Sequence, residues 1–545
     1  MTFATRSNST TFNGFEPTPE SIPPPYNELR LKLPSNLPVN YHPLNPLEFL
    51  LRAALIYPDK LAVVHPDVKT PAFYTYSVWT QRVQNLGYAL VKAGLKPGDR
   101  IAVIAPNVPM MADALQGALA ARVILTAINT RLTPQEVAYI LEHSGSKLIL
   151  IDSEYLHLIE GTRIPFVVSN DSGNSGDPYE RFLSEGRQFS GEKGWSGLEM
   201  EADENAPAML CYTQAKGIYP NALTLTCPPS SNGSKGVLTT LRGTYLAALA
   251  NAFEGQMNAN STYLWILPMF HAAGWTFPWA NTFAFTTQIT MRSVDYPLIW
   301  KHFLHSRVTH YCGAPTVQIG IVNDPAAKRP PQQIRAYIAG AAPTAHLIGH
   351  PFVTAGGMRV VYRAEESPDP NGELVDVPKD GKTMGEIVTR GNIVMKEYFN
   401  DVEATNKAFR GGYFGSGDLA VMHPDGSASI LDRSKDIIIS GGENASSLAI
   451  EQELASHPHI LEVSVVAREH KKWGERPMAF VTLHPQHASK WKGRHEDFAR
   501  DLKAHAKKRL PGFACPEWVE IVPELPKTST GKILKAQLRK VVAKL

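Results

Sequence analysis

Several things are scarce in this sequence. Its four cysteines, Cys211, Cys227, Cys312 and Cys515, stand far apart in 545 residues, with no Cys-x-x-Cys or Cys/His ligand spacing. That argues against a disulfide framework and a zinc site, and fits a reducing compartment. No apolar run approaches the roughly 20 residues of a membrane-spanning helix, so a membrane span is not expected. An excess of one charge is also missing: 54 basic and 51 acidic residues give a formal net charge of +3. No clustered Lys/Arg stripe accompanies it, and counterion-driven nucleic-acid binding is a poor reading. The first 25 residues lack the apolar core of a signal peptide and are rich in Ser, Thr and Pro, which predicts a flexible arm over 1–45.

What is present is a chain too long for one hydrophobic core, with 43% hydrophobic and 19% charged residues, as in an enzyme-sized globular protein. "DRIAVIAPNVPMMADALQGALAARVILTAIN" predicts a strand at Ile101–Ile104, a helix through Ala114 and Leu119, and a strand at Val123–Ile128. This is the β-α-β rhythm of an open sheet. Ser146–Asp152 and Ser261–Phe270 read as further buried strands. From about Gly385 the texture changes to short alternating strands with frequent glycines, which predicts an antiparallel or barrel-like piece. After Asn444 come a helix opened by Ser446 or Ser447, the strand "EVSVVARE" and the helix "HEDFARDLKAHAKKRL". The expected fold class is α/β: a large domain over 46–431 of stacked α/β sheets with a β-barrel-like subdomain, a hinge at 432–435, and a small mobile α+β domain over 436–545.

Four ordered motifs, "YFGSGDLAVMHPDG", "DRSKDIIISGGEN", "WGERP" and "PKTSTGKILK", resemble those of the adenylate-forming acyl-CoA synthetases, and the similarity runs from about Leu47 to Lys540. The resemblance implies ATP, Mg2+ and coenzyme A as cofactors and a carboxylic acid as substrate. In such a reaction the acid attacks the α-phosphate of ATP to give an acyl-adenylate and pyrophosphate. The thiol of coenzyme A then displaces AMP, and both steps need charge neutralisation more than covalent help.

By the same resemblance, Asp418 accepts from the ribose hydroxyls, a task suited to two acceptor oxygens, and Arg433 meets the same end of the nucleotide. Asp432 and Lys435 resemble the pivot of the small domain. Lys532 resembles the lysine that reaches both the substrate carboxylate and the α-phosphate, and Gly531 before it lets the loop approach closely. Gly441 and Gly442 resemble the strand that leaves room for the pantetheine arm, with a bulge as the plain alternative. Trp473 and Glu475 belong to a signature for which no catalytic role is expected. His271, in "LPMFHAAGW", falls where an aromatic or imidazole residue stands beside the acyl entrance, although a lone histidine there is often only a core side chain. "THYCGAP" and "AGAAP" resemble segments lining the acyl pocket and flanking adenine, with Gly340 and Ala341 against the base.

Two departures stand out. The family's phosphate loop is a compact string of hydroxyls and glycines whose N–H groups wrap the phosphates. Here Thr213 begins it and Gly233 to Val237, with Lys235, finish it, but Thr213 and Lys235 are 22 positions apart. Bulky Ile218, Tyr219 and Leu223 stand between, and Pro228 and Pro229 remove N–H donors. After Tyr362 the expected aromatic-Gly-x-Thr-Glu segment, with its magnesium-holding glutamate, is missing. Nothing in the spacing of Glu365 and Glu366 supports them as substitutes, so the metal ligands stay unassigned. A translated intron and a skipped exon would explain both departures; a non-catalytic relative is the alternative reading. Ala543-Lys544-Leu545 varies the S-K-L address and predicts a peroxisomal import receptor as partner and a peroxisomal rather than cytoplasmic location.

Overall fold

Between Leu61 and Ile338 apolar runs too short for helices alternate with helical stretches, and in the computed structural model they assemble into two sheets. The described residues are 14–25, 28–190, 193–213, 235–271, 276–338, 354–363, 366–367, 373–527 and 533–544. One sheet has the strand order Arg335–Ile338, His310–Gly313, Thr262–Trp265, Thr287–Thr290, Leu61–His65, Ala72–Thr75, parallel except for its last pair. The other runs Glu397–Tyr398, Lys235–Thr240, Pro207–Thr213, Ile124–Ala127, Arg100–Ile104, Ser146–Asp152, Phe166–Ser169. Its first two pairings are antiparallel and the other four parallel. Strands buried on both faces need near-continuous apolar side chains, and Ile101 to Ile104 and Leu148 to Ile151 supply them.

The helices Tyr76–Lys92, Pro109–Ala120 and Pro178–Ser190 pack around one buried charge cluster. Arg82 donates to Asp113 at 2.8 Å and to Glu180 at 2.7 Å, lies over the Tyr74 ring at 4.3 Å, and is only 1% exposed. A second cluster joins the two sheets: Arg292, just past the strand Thr287–Thr290, reaches Asp152 at 2.8 Å and Asp171 at 2.7 Å. Three carboxylates outweigh burial and hold the Arg292 guanidinium above its ordinary pKa.

The alternating stretch after Gly385 forms an antiparallel sheet of Met358–Val361, Met384–Thr389, Tyr413–Met422 and Phe409–Arg410, with Ala428–Arg433 on the far side of Tyr413–Met422. Beyond it the small body pairs Glu443–Ala445, Ile438–Ser440, Gly474–Leu483 and Ile460–His470, with Trp518–Ile521 parallel to Gly474–Leu483. The helices Ser447–Ala455 and His495–Ala506 close its own core around Ile450, Leu454, Val465, Phe498 and Leu502. Ser446 is the residue that caps the first of these, its hydroxyl accepting from Ala449 N at 3.0 Å.

Two expectations need correction. Described residues of the flexible arm are strapped to the body: Phe15 is buried edge-on to Tyr74, Arg187 donates to the carbonyls of Glu20 and Ile22, and Lys32 donates its N–H to Leu198 O while its carbonyl accepts from Met200 N. Buried Phe15 and Leu31 among the polar residues of this segment are what anchor it. The strand expected over Ser261–Phe270 ends at Trp265, because a buried asparagine captures the following backbone. Asn107 Nδ2 donates to the carbonyls of Trp265 and Leu267 at 3.0 and 3.1 Å, and its Oδ1 accepts from Met269 N at 2.7 Å.

Cys211, Cys312 and Cys515 are free and buried, and burial pushes the Cys211 thiol up to about 12. Among the described residues no helix is long and apolar enough to cross a membrane. The charge cluster generates a prediction. Arg82→Met leaves two buried carboxylates without a counter-charge, which should cost about 3–5 kcal/mol at neutral pH. Burial already raises the pKa of both Asp113 and Glu180. Without Arg82 the folded form binds protons that the unfolded form releases, so part of the loss should return as pH falls toward the ordinary carboxylate range. Urea midpoints measured across pH check both the loss and its partial recovery.

Candidate active site

The strands flanking the expected phosphate loop meet. In the antiparallel pairing of Pro207–Thr213 with Lys235–Thr240, Cys211 faces Val237, Tyr212 faces Gly236 and Thr213 faces Lys235. The 22-position separation is therefore closed at its base by a strand ladder. The Lys235 ammonium lies 3.4 Å from Asp401 Oδ2 and 4.8 Å from the centre of the Tyr398 ring.

Asp418 and Arg433 are brought opposite one another in the register of Tyr413–Met422 and Ala428–Arg433, with Arg433 Nε 3.8 Å from Asp418 Oδ1. Gly417, at φ +72°, makes the local twist. Its N–H donates to Glu386 Oε1 at 3.0 Å, and the Ser416 hydroxyl donates to Ile387 O at 2.7 Å while accepting from Asp418 N at 3.1 Å. Sequence reasoning did not single out Glu386 or Ser416. Their position in "GEI" and "GSGD" was visible, but their job of setting the Asp418 carboxylate is a contact between strands.

His271 follows the Asn107-held loop, half-buried, with its N–H on Pro268 O at 3.1 Å. The same loop is pinned to the neighbouring strand by Leu267 N donating to Cys312 O at 3.1 Å. Leu267, Pro268, Gly313 and Ala314 thereby form one wall of a cavity of about 970 Å³. The opposite wall belongs to the small body and includes Phe480, Val522, Leu525, Lys527 and Leu538. Lys527 Nζ is 2.8 Å from Glu462, Lys527 and Ile533 form an antiparallel bridge, and Leu534 N donates to Pro526 O at 2.7 Å. These bonds fix both flanks of 528–532. Lys532, Gly340, Ala341 and Glu365 lie outside the described residues.

Gly441 and Gly442 are the turn of the hairpin Ile438–Ser440 with Glu443–Ala445, and not a bulge. Both have positive φ, +66° and +87°, which a two-residue hairpin turn of the primed type requires at both positions. The "WGERP" signature is built around this turn. Gly441 N donates to Trp473 O at 2.8 Å, Ile439 N to Glu475 Oε2 at 2.8 Å, and Arg476 Nη1 to Ser440 Oγ at 3.2 Å. A Cβ on Gly441 would stand 2.8 Å from a ring carbon of Trp473.

The donor set was tested for Mg2+. Glu366 is clasped by Arg363, with one oxygen accepting from Nε at 2.9 Å and the other from Nη2. Among the described residues the group with ligand spacing is His457, His459 and Asp501 in the small body, a nitrogen-rich set that does not suit magnesium. The described residues thus do not fit Mg2+ beside Asp418.

Residues 50–213 and 233–362 match the AMP-binding enzyme family, and residues 449–532 match its C-terminal domain. The first match passes over 214–232 and stops at Tyr362, the two places where the sequence departs from the pattern. The chain is 35% identical to the peroxisomal acetate/butyrate–CoA ligase AAE7 of Arabidopsis thaliana, with 92% of this chain and 95% of the relative covered. It is 32% identical to the peroxisomal trans-cinnamate:CoA ligase of Petunia hybrida, covering 92% and 94%. The fold is similar to that of ATP-bound MatB from Rhodopseudomonas palustris, with a TM-score of 0.74 at 19% identity over 91% of this chain and 99% of that one. On these matches the chain belongs to the AMP-binding enzyme family.

Proposed function

We propose that this protein is an AMP-forming acid–thiol ligase that joins a carboxylic acid to coenzyme A through an acyl-adenylate. The observation that carries the reading is the cavity of about 970 Å³ shared by the two bodies, with Lys527 on its wall and the chain from Lys527 leading directly into Lys532. The acid's apolar portion packs against Ile266, Leu267, Val294 and Val317. Curated relatives act on acids from acetate and butyrate to trans-cinnamate, and an apolar monocarboxylic acid is the substrate class this wall suits.

In the first step a carboxylate oxygen of the acid attacks the α-phosphorus of ATP, and the bond to pyrophosphate breaks. Asp418 holds the ribose diol, Arg433 holds the same end of the nucleotide, and the Lys532 ammonium neutralises charge developing between the acid and the α-phosphate. Thr213 and Lys235 frame the phosphate loop, and His271 stands at the acyl entrance. In the second step the thiol sulfur of coenzyme A attacks the acyl carbonyl and AMP leaves. The turn at Gly441 and Gly442, free of Cβ atoms, gives the pantetheine arm a close approach to the backbone. The small body changes orientation between the steps about 432–435.

A second reading, a relative impaired in nucleotide chemistry, is favoured by one observation: the family match omits 214–232 and ends at Tyr362. For location, the C-terminal Ala543-Lys544-Leu545 and the peroxisomal relatives support import through the receptor for such addresses.

Acid-dependent pyrophosphate release from Mg-ATP discriminates the two readings. The ligase reading expects release with an apolar acid and a KM for ATP raised by the long loop; no release with any member of an acid panel leaves the impaired relative. With release in hand, Lys532→Ala should slow acyl-adenylate formation by about 10²-fold or more while sparing transfer of a preformed acyl-adenylate to coenzyme A. Equal loss in both half-reactions rejects that role. A fluorescent protein fused ahead of Met1 should enter peroxisomes and become cytoplasmic when Ala543-Lys544-Leu545 is deleted, whereas an unchanged distribution rejects the address.

A further inference from the structure

The small body is joined to the large one by the chain through Asp432 to Ile437. Among the described elements the main contact across the junction is helix Ser447–Ala455 against strand Ala428–Arg433. At the centre of that contact lies one fully buried hydroxyl, that of Ser447. It donates to Asp432 Oδ2 at 2.7 Å and accepts from Lys535 Nζ at 2.6 Å. The same carboxylate oxygen accepts from Leu448 N at 3.2 Å, and the Ser446 hydroxyl donates to Leu431 O at 2.8 Å. Lys535 also reaches Glu451 at 2.8 Å, and Glu451 accepts from Val465 N at 2.7 Å.

These groups divide between the bodies. Asp432 sits on a strand paired with Tyr413–Met422, on the large body's side of the junction. Ser447, Glu451 and Lys535 belong to the small one, where Lys535 opens the helix Lys535–Val542 that lines the cavity through Leu538 and Val541. Burial works against the Lys535 ammonium, yet the carboxylates of Glu451, Asp432 and Asp436 outweigh it. Separating the bodies therefore breaks the Ser447–Asp432 bond and leaves Lys535 with Glu451. No buried cation is stranded, and Asp432 regains water. A hydroxyl suits such a junction because it donates to one partner and accepts from the other without carrying charge.

We propose that Ser447 is a positioning residue whose hydroxyl latches the small body onto Asp432, and so holds Lys527 and the start of helix Lys535–Val542 at the cavity. Only the catalytic consequence rests on the ligase reading; the latch itself does not.

The amide of Leu448, bonded to Asp432, reports latch opening by hydrogen–deuterium exchange of the full-length protein. Ser447→Ala should speed its exchange about tenfold, as expected for losing a hydrogen bond to a charged group. Ser447→Thr should restore it, and the double variant Ser447→Ala/Asp432→Asn should exchange no faster than the faster single variant. Unchanged exchange in a folded Ser447→Ala protein, or additive effects in the double variant, overturns the latch. If Ser447→Ala does not fold, Asp432→Asn alone decides by the same amide. In the half-reactions, Ser447→Ala should lower acyl-adenylate formation more than thioester formation from preformed acyl-adenylate, and an equal loss in both overturns the positioning role. If the unaltered protein forms no acyl-adenylate, the ligase reading fails while the exchange result still judges the latch.

Discussion

The arrangement of the two bodies depends on where the Asp432 carboxylate finds its donors. A carboxylate buried at the end of a strand loses several kcal/mol of hydration unless hydrogen bonds replace it. Here the replacement comes from the first turn of the helix Ser447–Ala455, through the Ser447 hydroxyl and the Leu448 N–H. The amides at a helix start have no partner within the helix and favour negative charge. In this placement of the small body that turn meets that carboxylate, and the two bodies line one cavity. Arg539 adds to it from the other end of the connecting segment, donating to Lys435 O at 3.2 Å and pairing with Asp436.

Rigidity is distributed differently within each body. In the large one, charge is buried where three helices converge, at Arg82, and where two sheets meet, at Arg292. Such clusters cost desolvation but resist rearrangement, because moving one element strands its charge. In the small body the stiff element is the turn at Gly441. Trp473, Glu475 and Arg476, about 35 residues on in the chain, hold its backbone from the facing strand, so the turn keeps its shape when the body moves. Their role is geometric support for two glycines.

This division explains what the sequence disclosed. Residues whose chemistry is local were legible: a serine, Ser446 or Ser447, opening a helix, and the apolar runs Ile101–Ile104 and Ser146–Asp152 as buried strands, whereas the hairpin turn at Gly441 and Gly442 was not distinguished from a bulge. Motif order singled out Asp418 and Arg433, and the ladder that makes them neighbours follows from the short antiparallel strands expected after Gly385. Residues acting across long chain separations were not. Asn107 ends a strand at Trp265, Glu386 sets the turn before Asp418, and Lys535 reaches back to Ser447, all without a mark in their own surroundings. The arm was misread for a related reason. Its composition is that of a disordered segment, and Phe15 and Leu31 stabilise it only through pockets formed by distant residues.

The two departures from the family pattern both lie between paired strands. The ladder Pro207–Thr213 with Lys235–Thr240 holds Thr213 opposite Lys235 whatever length of chain joins them, and Met358–Val361 keeps its register with Met384–Thr389 across the shortened segment. Loop closure becomes costlier only slowly with length, by about 0.6 kcal/mol for each doubling. A ladder of this size absorbs that cost, so the fold tolerates a long insertion there. Phosphate binding makes a stricter demand than loop closure, because it needs several N–H groups converging on one anion. The architecture of this part of the chain therefore resides in strand register, which holds on either side of each departure.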